Sequence, residues 1–173
     1  MSEANASEAR DVFITGLKNA HAMEKQALSI MSPQIDRIDS YPDVKDRLVQ
    51  HKRETEAQVE RLETVLETLG EKPSAVKDTV LSVAGGMAAM GHAPAPDEIL
   101  KNSFANFAFE NYEIAAYNSL IVLAEAAGEV GAVEPLRTNL AEEEAMASWL
   151  ESNLASVTEK YVALREAGES AKH

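Results

Sequence analysis

Phe104-Ala105-Asn106-Phe107-Ala108-Phe109-Glu110-Asn111-Tyr112-Glu113-Ile114-Ala115-Ala116-Tyr117 decides how this chain is read. It has the periodicity of a long amphipathic helix, with two glutamates where core residues belong. Ile99, Ser103, Asn106, Glu110, Glu113, Tyr117, Leu120 and Ala124 follow one another in alternating steps of four and three, the spacing of a seam that faces other helices. Glu110 and Glu113 are therefore expected to point inward. An ionised carboxylate in an apolar interior costs several kcal/mol unless a cation, a proton or hydrogen bonds compensate it.

Working outward, three further helices show the same spacing. Upstream, Phe13, Leu17, Ala20, Glu24, Ala27 and Met31 form a seam in a helix expected from about Ser7, a candidate cap, to about Ser32, where Pro33 should break or kink it, with an extension toward Ile38. A second helix is expected from Pro42 to Leu69, capped by Ser40 and stopped at Gly70. Its seam is Val44, Leu48, His51, Thr55, Gln58, Leu62, Val65 and Leu69. The helix of the opening stretch starts near Pro96 and ends before Gly128. The last begins between Val133 and Pro135 and runs to Ala167, with a seam of Leu136, Leu140, Glu143, Ala147, Leu150, Leu154, Val157, Tyr161 and Leu164. The residues after Gly168 read as frayed.

Between the second and third helices, Ser74 to Gly91 reads as a short crossover helix rich in small residues. Gly86 and Gly91 have the spacing of a phosphate loop, but His92 stands in the lysine's place and no strand precedes it, so close helix packing is the better reading. No segment alternates with the two-residue period of a strand. The expected fold is all-α: a single four-helix bundle over residues 1–173, with flexible tails at about 1–6 and 168–173. A long crossover carrying a short extra helix gives it ferritin-like topology.

Composition narrows the chemistry. The 173 residues are enough for one core that buries roughly 70% of the unfolded surface. With no cysteine, thiolate sites and thiol catalysis are excluded, and any metal must be held by nitrogen and oxygen. A formal charge of −13 argues against nucleic acid and favours cations. No apolar run is long enough to span a membrane and no signal-peptide pattern is seen, so a cytoplasmic protein is expected.

Each seam carries a glutamate near its middle: Glu24, Glu54 beside the second seam, Glu110 and Glu143, with His51 and Glu113 adding to the second and third. Of Glu142, Glu143 and Glu144, only Glu143 lies on the seam. Five inward carboxylates in one layer cannot all stay ionised without positive charge among them. Two metal ions would supply it, and hard oxygen donors with one imidazole suit iron, with manganese second. A lone seam glutamate is more often paired with arginine, and Arg47 and Arg61 lie close by; a lone His51 is more often a hydrogen-bonded core residue. The coincidence on all four helices shifts the balance toward metal. His21 lies beside the seam and His92 in the connector. Tyr112 and Tyr117 are suited either to hold carboxylates or to pack, and Phe104, Phe107 and Phe109 to fill the core.

The residues Ala22-Met23-Glu24-Lys25-Gln26, His51-x-x-Glu54-Thr55, Phe109 to Tyr117 and Leu140-Ala141-Glu142-Glu143 resemble the YciE/YciF family of bacterial ferritin-like proteins. The resemblance covers about Ser7 to Gly168. It implies a ferritin-like bundle, usually a homodimer, linked to bacterial stress responses, with no settled enzymatic activity. Carried over by position, its di-metal ligands are Glu24, His51, Glu54, Glu110, Glu113 and Glu143. The chain departs from the wider pattern of Glu-x-x-His on two helices: helix two has His51-x-x-Glu54, and Met146 follows Glu143 by three. The expected function is a non-haem di-iron or manganese protein with redox activity on iron or peroxide. The alternative is a structural, scaffolding dimer whose site is degenerate or purely structural; a storage cage is weaker, since nothing marks pore segments.

Overall fold

A computed structural model describes residues 3–73 and 95–173. Four long helices make up nearly all of it: α1 (Glu3–Arg37), α2 (Pro42–Thr68), α3 (Glu98–Ala127) and α4 (Val133–Glu166), with a 3-10 turn at Val130–Ala132 leading into α4. No strand occurs among the described residues. The expected crossover helix and the Gly86 to His92 motif lie outside them.

The ends of the helices fix the topology. Arg10, near the start of α1, donates to the Leu69 carbonyl just past α2 and to Glu129 just past α3, while Arg37 at the end of α1 meets Glu98 at the start of α3. Thus α2 and α3 both run against α1 and parallel to each other. The chain between them has to traverse the bundle's length, which is the single long crossover of the ferritin-like fold. Around the bundle the order is α2, α1, α3, α4. Gly16 lets α1 and α3 approach closely: a Cβ there would stand 2.7 Å from Leu120 Cδ2. Gly128 takes the left-handed conformation (φ 77°) and ends α3, its N–H donating to the Glu125 carbonyl.

Two apolar clusters fill the ends. Phe13, Leu17, Leu62, Leu66, Leu120 and Leu136 pack at one, and Met31, Ile38, Leu48, Ile99, Met146 and Leu150 at the other. Each such side chain contributes about 1.5–3 kcal/mol on burial. The polar layer anticipated from the seams lies between them.

The structure corrects four expectations. α1 begins at Glu3, before Ser7, and does not end near Ser32: it continues through Pro33 to Arg37, as the extension toward Ile38 anticipates. The ring costs one backbone hydrogen bond, about 3 kcal/mol, but Met31, Gln34 and Ile38 around it are all buried and Gln34 exchanges amide hydrogen bonds with Asn106. Ser40 does not cap α2, because its hydroxyl donates to the Ser170 carbonyl. The chain's last residues are docked rather than frayed: Ser40 N–H donates to the His173 carbonyl, Ile99 N–H to that of Lys172 and the Tyr41 hydroxyl to that of Ala171. Finally, Phe104 is not core. It is 51% exposed, as is Tyr112, and with Val122 at 63% it gives α3 an apolar outer face as well as an inner one.

Candidate metal centre

The middle layer is assembled from all four helices. α2 brings in His51, α3 Glu110 and α4 Glu143, with His51 Nε2 at 3.2 Å from Glu110 Oε2 and 3.6 Å from Glu143 Oε2. One donor atom from each of the three lies within 4.8 Å of the others, close enough to share one ion. Glu24 from α1 and Glu113, one turn after Glu110, complete the layer; both are fully enclosed, and their charges act on this group. The seam spacing explains the convergence, since each of these residues lies on the same helix face as apolar residues buried nearer the bundle ends, such as Leu17, Leu48, Leu120 and Leu136.

Glu54 stands apart from that trio. It sits on the far side of the imidazole, 3.1 Å from Nδ1, and its carboxylate is held by Arg47 at 3.0 Å and Gln50 at 2.7 Å. His21 is also turned away, pairing with Glu63 at 2.9 Å between α1 and α2. Tyr117 is a partner of the site: its hydroxyl donates to Glu24 Oε1 at 2.5 Å. Tyr112 instead stacks on Phe109 at the surface. Of the acid run on α4, Glu143 is buried, Glu144 exposed, and Glu142 lies between α2 and α4, gripped by both ends of the Arg61 guanidinium at 2.6 and 2.9 Å.

The arginines thus neutralise Glu54 and Glu142, not the innermost carboxylates. Among the described residues, Glu24, Glu110, Glu113 and Glu143 form no ion pair with lysine or arginine; His51 is their only cationic neighbour. Protonation equilibria follow. Burial would lower the His51 pKa, but hydrogen bonding to Glu110 and Glu54 outweighs it and raises it to about 9. The His51 hydrogen bond, with Arg47 and Gln50, holds Glu54 down at about 2. Burial pushes Glu24 up to about 8 despite the Tyr117 hydrogen bond, and burial with the Glu24 and Glu110 charges pushes Glu143 up to about 11. Glu113 is raised well above the usual carboxylate range by burial and by the Glu24, Glu143 and Glu110 charges. Without an external cation, the layer therefore holds protons.

Its oxygen atoms are left short of donors even so. Glu24 Oε2 and both oxygens of Glu113 and Glu143 are buried and, apart from protons shared between Glu113 and Glu143 and between Glu143 and Glu110, are without a donor in hydrogen-bonding geometry. Buried polar atoms are nearly always satisfied, so oxygens that converge without donors fit a hard cation. With one imidazole among four inner carboxylates, the donor set suits iron or manganese better than zinc or copper.

Two further residues join the site: Asn139, which lies off the α4 seam, and Gln58, which lies on the α2 seam but carries no signal of its partner. Asn139, 1% exposed, donates to the Tyr117 hydroxyl at 2.9 Å and accepts from Arg61, which links the surface pair to Glu24. Gln58 donates to Glu142 at 3.0 Å. The available signal was spacing: Asn139 lies one helical turn before Glu143, and Gln58 lies on the seam of α2 one turn from Glu54.

The family profile described as "Domain of unknown function (DUF892)" matches residues 8–163. Three solved structures share the fold. A protein from Xanthomonas campestris pv. campestris is 30% identical with a TM-score of 0.76, covering 91% of this chain and 99% of its own. YcfI from Rhodopseudomonas palustris is 29% identical with a TM-score of 0.74, covering 87% and 98%. The E. coli stress protein YciF is 26% identical with a TM-score of 0.74, covering 86% and 97%. A match that spans all four helices and every residue of the carboxylate layer identifies the chain as a member of the DUF892 family, to which its YciF-like neighbours correspond.

Proposed function

We propose that the protein is a non-haem di-iron-binding, ferritin-like protein of the bacterial stress response, with manganese as the alternative metal, working in the cytoplasm as a homodimer. The observation that carries this reading is the set of buried, donor-poor oxygens on Glu24, Glu113 and Glu143 around His51 and Glu110. Glu110, Glu143 and His51 would hold one ion, and Glu24 and Glu113 extend the oxygen set toward a second, with Glu54 reaching it by leaving Arg47. A metal pair so held supplies redox chemistry toward iron or peroxide. The chain's own part is to orient and to exclude water: Tyr117 fixes one oxygen of Glu24, Glu54 fixes the imidazole through Nδ1, and the apolar clusters at both ends keep the layer dry. Support for the stress role comes from the likeness to YciF. The apolar outer face of α3, with Phe104, Tyr112 and Val122, supports self-association.

A second reading is a structural, scaffolding dimer with a degenerate site, favoured by Met146, fully buried where a second histidine would complete the wider ligand pattern. The two part on metal content. Protein purified without chelator should contain about two iron or manganese ions per chain and gain thermal stability on metal addition. Less than a few tenths of an ion per chain with no stabilisation would overturn the metal reading and leave the structural one.

A further inference from the structure

Among the described residues the layer is closed, with Glu24, His51, Glu113 and Glu143 at most 1% exposed, so an ion needs a way in. Among those residues, three of the four seams around the bundle offer none. Val59 and Leu66 on α2 are buried toward α1, where His21 and Glu63 pair. Between α1 and α3, Leu120 presses on Gly16 and Gln34 pairs with Asn106. Between α3 and α4, Ile121 and Leu136 are buried.

The α2 and α4 seam differs in kind. Arg47, Glu54 and Arg61 recur every seven residues along the flank of α2 that meets α4, and Glu142 answers from α4. Arg61 and Glu142 are both partly exposed, with side chains 26% and 23% accessible. Beneath them lies Gln58, completely buried: its amide donates to Glu142, and its carbonyl oxygen has no partner. A buried carbonyl oxygen without a donor, between the partly exposed Glu142 carboxylate and the inner Glu143, is suited to contact a cation. Outside the pair, a cavity of about 290 Å³ is lined by Ala57, Glu60, Arg61, Thr64, Val65 and Pro135.

We propose that the Arg61–Glu142 pair is a gate through which a divalent cation reaches the buried carboxylates, passing from the Glu142 carboxylate to the Gln58 carbonyl oxygen and on to Glu143. This inference rests on the metal-binding reading above. The cation exchanges with Arg61 on Glu142, and the displaced guanidinium has the adjoining cavity to move into, where Glu60 can receive it. The shut gate is also tied to the site. Arg61 donates to Asn139, Asn139 to Tyr117, and Tyr117 to Glu24, so leaving Glu142 loosens the same chain of hydrogen bonds that holds an inner carboxylate. The guanidinium at the mouth opposes an incoming cation, so it slows loading without contributing to final occupancy.

The test is anaerobic loading of the full-length metal-free protein with cobalt(II), followed by stopped-flow absorbance of the ligand-field bands. Arg61→Ala should load about tenfold faster than wild type, Arg61→Lys should fall between, Glu142→Gln should be several-fold slower, and all should reach the same final absorbance. His21→Gln, on the α1 and α2 seam, should load at the wild-type rate. Arg61→Lys keeps the charge and guards against misfolding of the alanine variant. Both Arg61 variants loading at the wild-type rate would overturn the gate while leaving the metal site standing. A final absorbance lowered in Glu142→Gln would make Glu142 a ligand of the site and also overturn it. No cobalt bands in wild type would overturn the metal reading and the gate together.

Discussion

Helix α3 buries glutamate in two places, and they are handled in opposite ways. Glu98, at the start of the helix, is 3% exposed and has a cation on each oxygen, Arg37 at 2.7 Å and Lys172 at 3.3 Å. Glu113, four turns on, is as deeply buried and among the described residues has no cation on either oxygen. Burial would raise the pKa of both. At Glu98 the Arg37 and Lys172 contacts reverse that and hold it below the usual range, whereas at Glu113 nearby carboxylates reinforce it. Where the fold needs a buried carboxylate for structure, it supplies internal cations. Where it leaves them out, the compensating charge has to come from outside, as protons or as metal.

The largest expected effect comes from removing that demand. Glu143→Leu replaces a buried carboxyl, protonated in the metal-free state, with an apolar side chain of similar volume. The metal-free variant should be more stable than wild type at neutral pH by about 2 kcal/mol, the cost of an unsatisfied buried polar group, and should retain no metal. Urea unfolding midpoints and elemental analysis check the two halves. A metal-free variant less stable than wild type would mean that Glu143 belongs to a structural network instead, and that the centre resembles Glu98 after all.

Next in size is the pH dependence of the metal-free protein. Glu24 at about 8, His51 at about 9 and Glu143 at about 11 all bind their protons more tightly folded than unfolded. Their contribution is present below the unfolded pKa values and is lost as pH rises through the folded ones. Stability should therefore fall steadily between about pH 5 and pH 8, at up to about 1.4 kcal/mol per pH unit for each group that keeps its proton only in the folded state. Glu54, held at about 2, has the opposite sign and loses its contribution as pH falls from about 4.5 toward 2. Metal takes the place of the protons, so the loaded protein should show a flat profile over the same range. Thermal melts with and without metal decide it, and equal slopes would remove the centre's claim to be a site that metal completes.

How much of this was legible beforehand depended on periodicity. The seams through Glu24, Glu110, Glu113 and Glu143 name the innermost residues correctly, because a step of three or four along a helix fixes which face a side chain occupies. Fold class, helix ends at Gly128 and Gly70 and the need for one long crossover follow from the same signal. What periodicity lacks is the partner. Nothing local indicates that Arg47 takes Glu54, that Arg61 takes Glu142, or that Asn139 reaches Tyr117, since those are contacts across helices far apart in sequence. At Pro33 the local breaking tendency and the extension toward Ile38 compete, and the buried Met31, Gln34 and Ile38 around the ring decide for the extension. Phe104 reads as core by residue type alone, but it lies off the seam of α3 and is half exposed, so face and not type decides its burial.

The smallest effect tests the other half of the contrast. Glu98→Gln should leave metal content unchanged and destabilise the protein by about 1 kcal/mol, since Arg37 and Lys172 are both partly exposed and water screens much of their attraction. Its pH signature has the opposite sign to that of the centre: the depressed pKa contributes above the ordinary value of 4.5 and is lost as pH falls through the folded one. The loss should be local. Lys172 belongs to the docked tail, whose backbone receives the Ser40 and Ile99 N–H groups, so the variant should show faster amide exchange at Ser40 and Ile99 than wild type while amides around Glu110 stay protected. Faster exchange around Glu110 as well would mean that the two glutamates are one cooperative unit. The division between a carboxylate neutralised from within and one that requires an outside cation would then not hold.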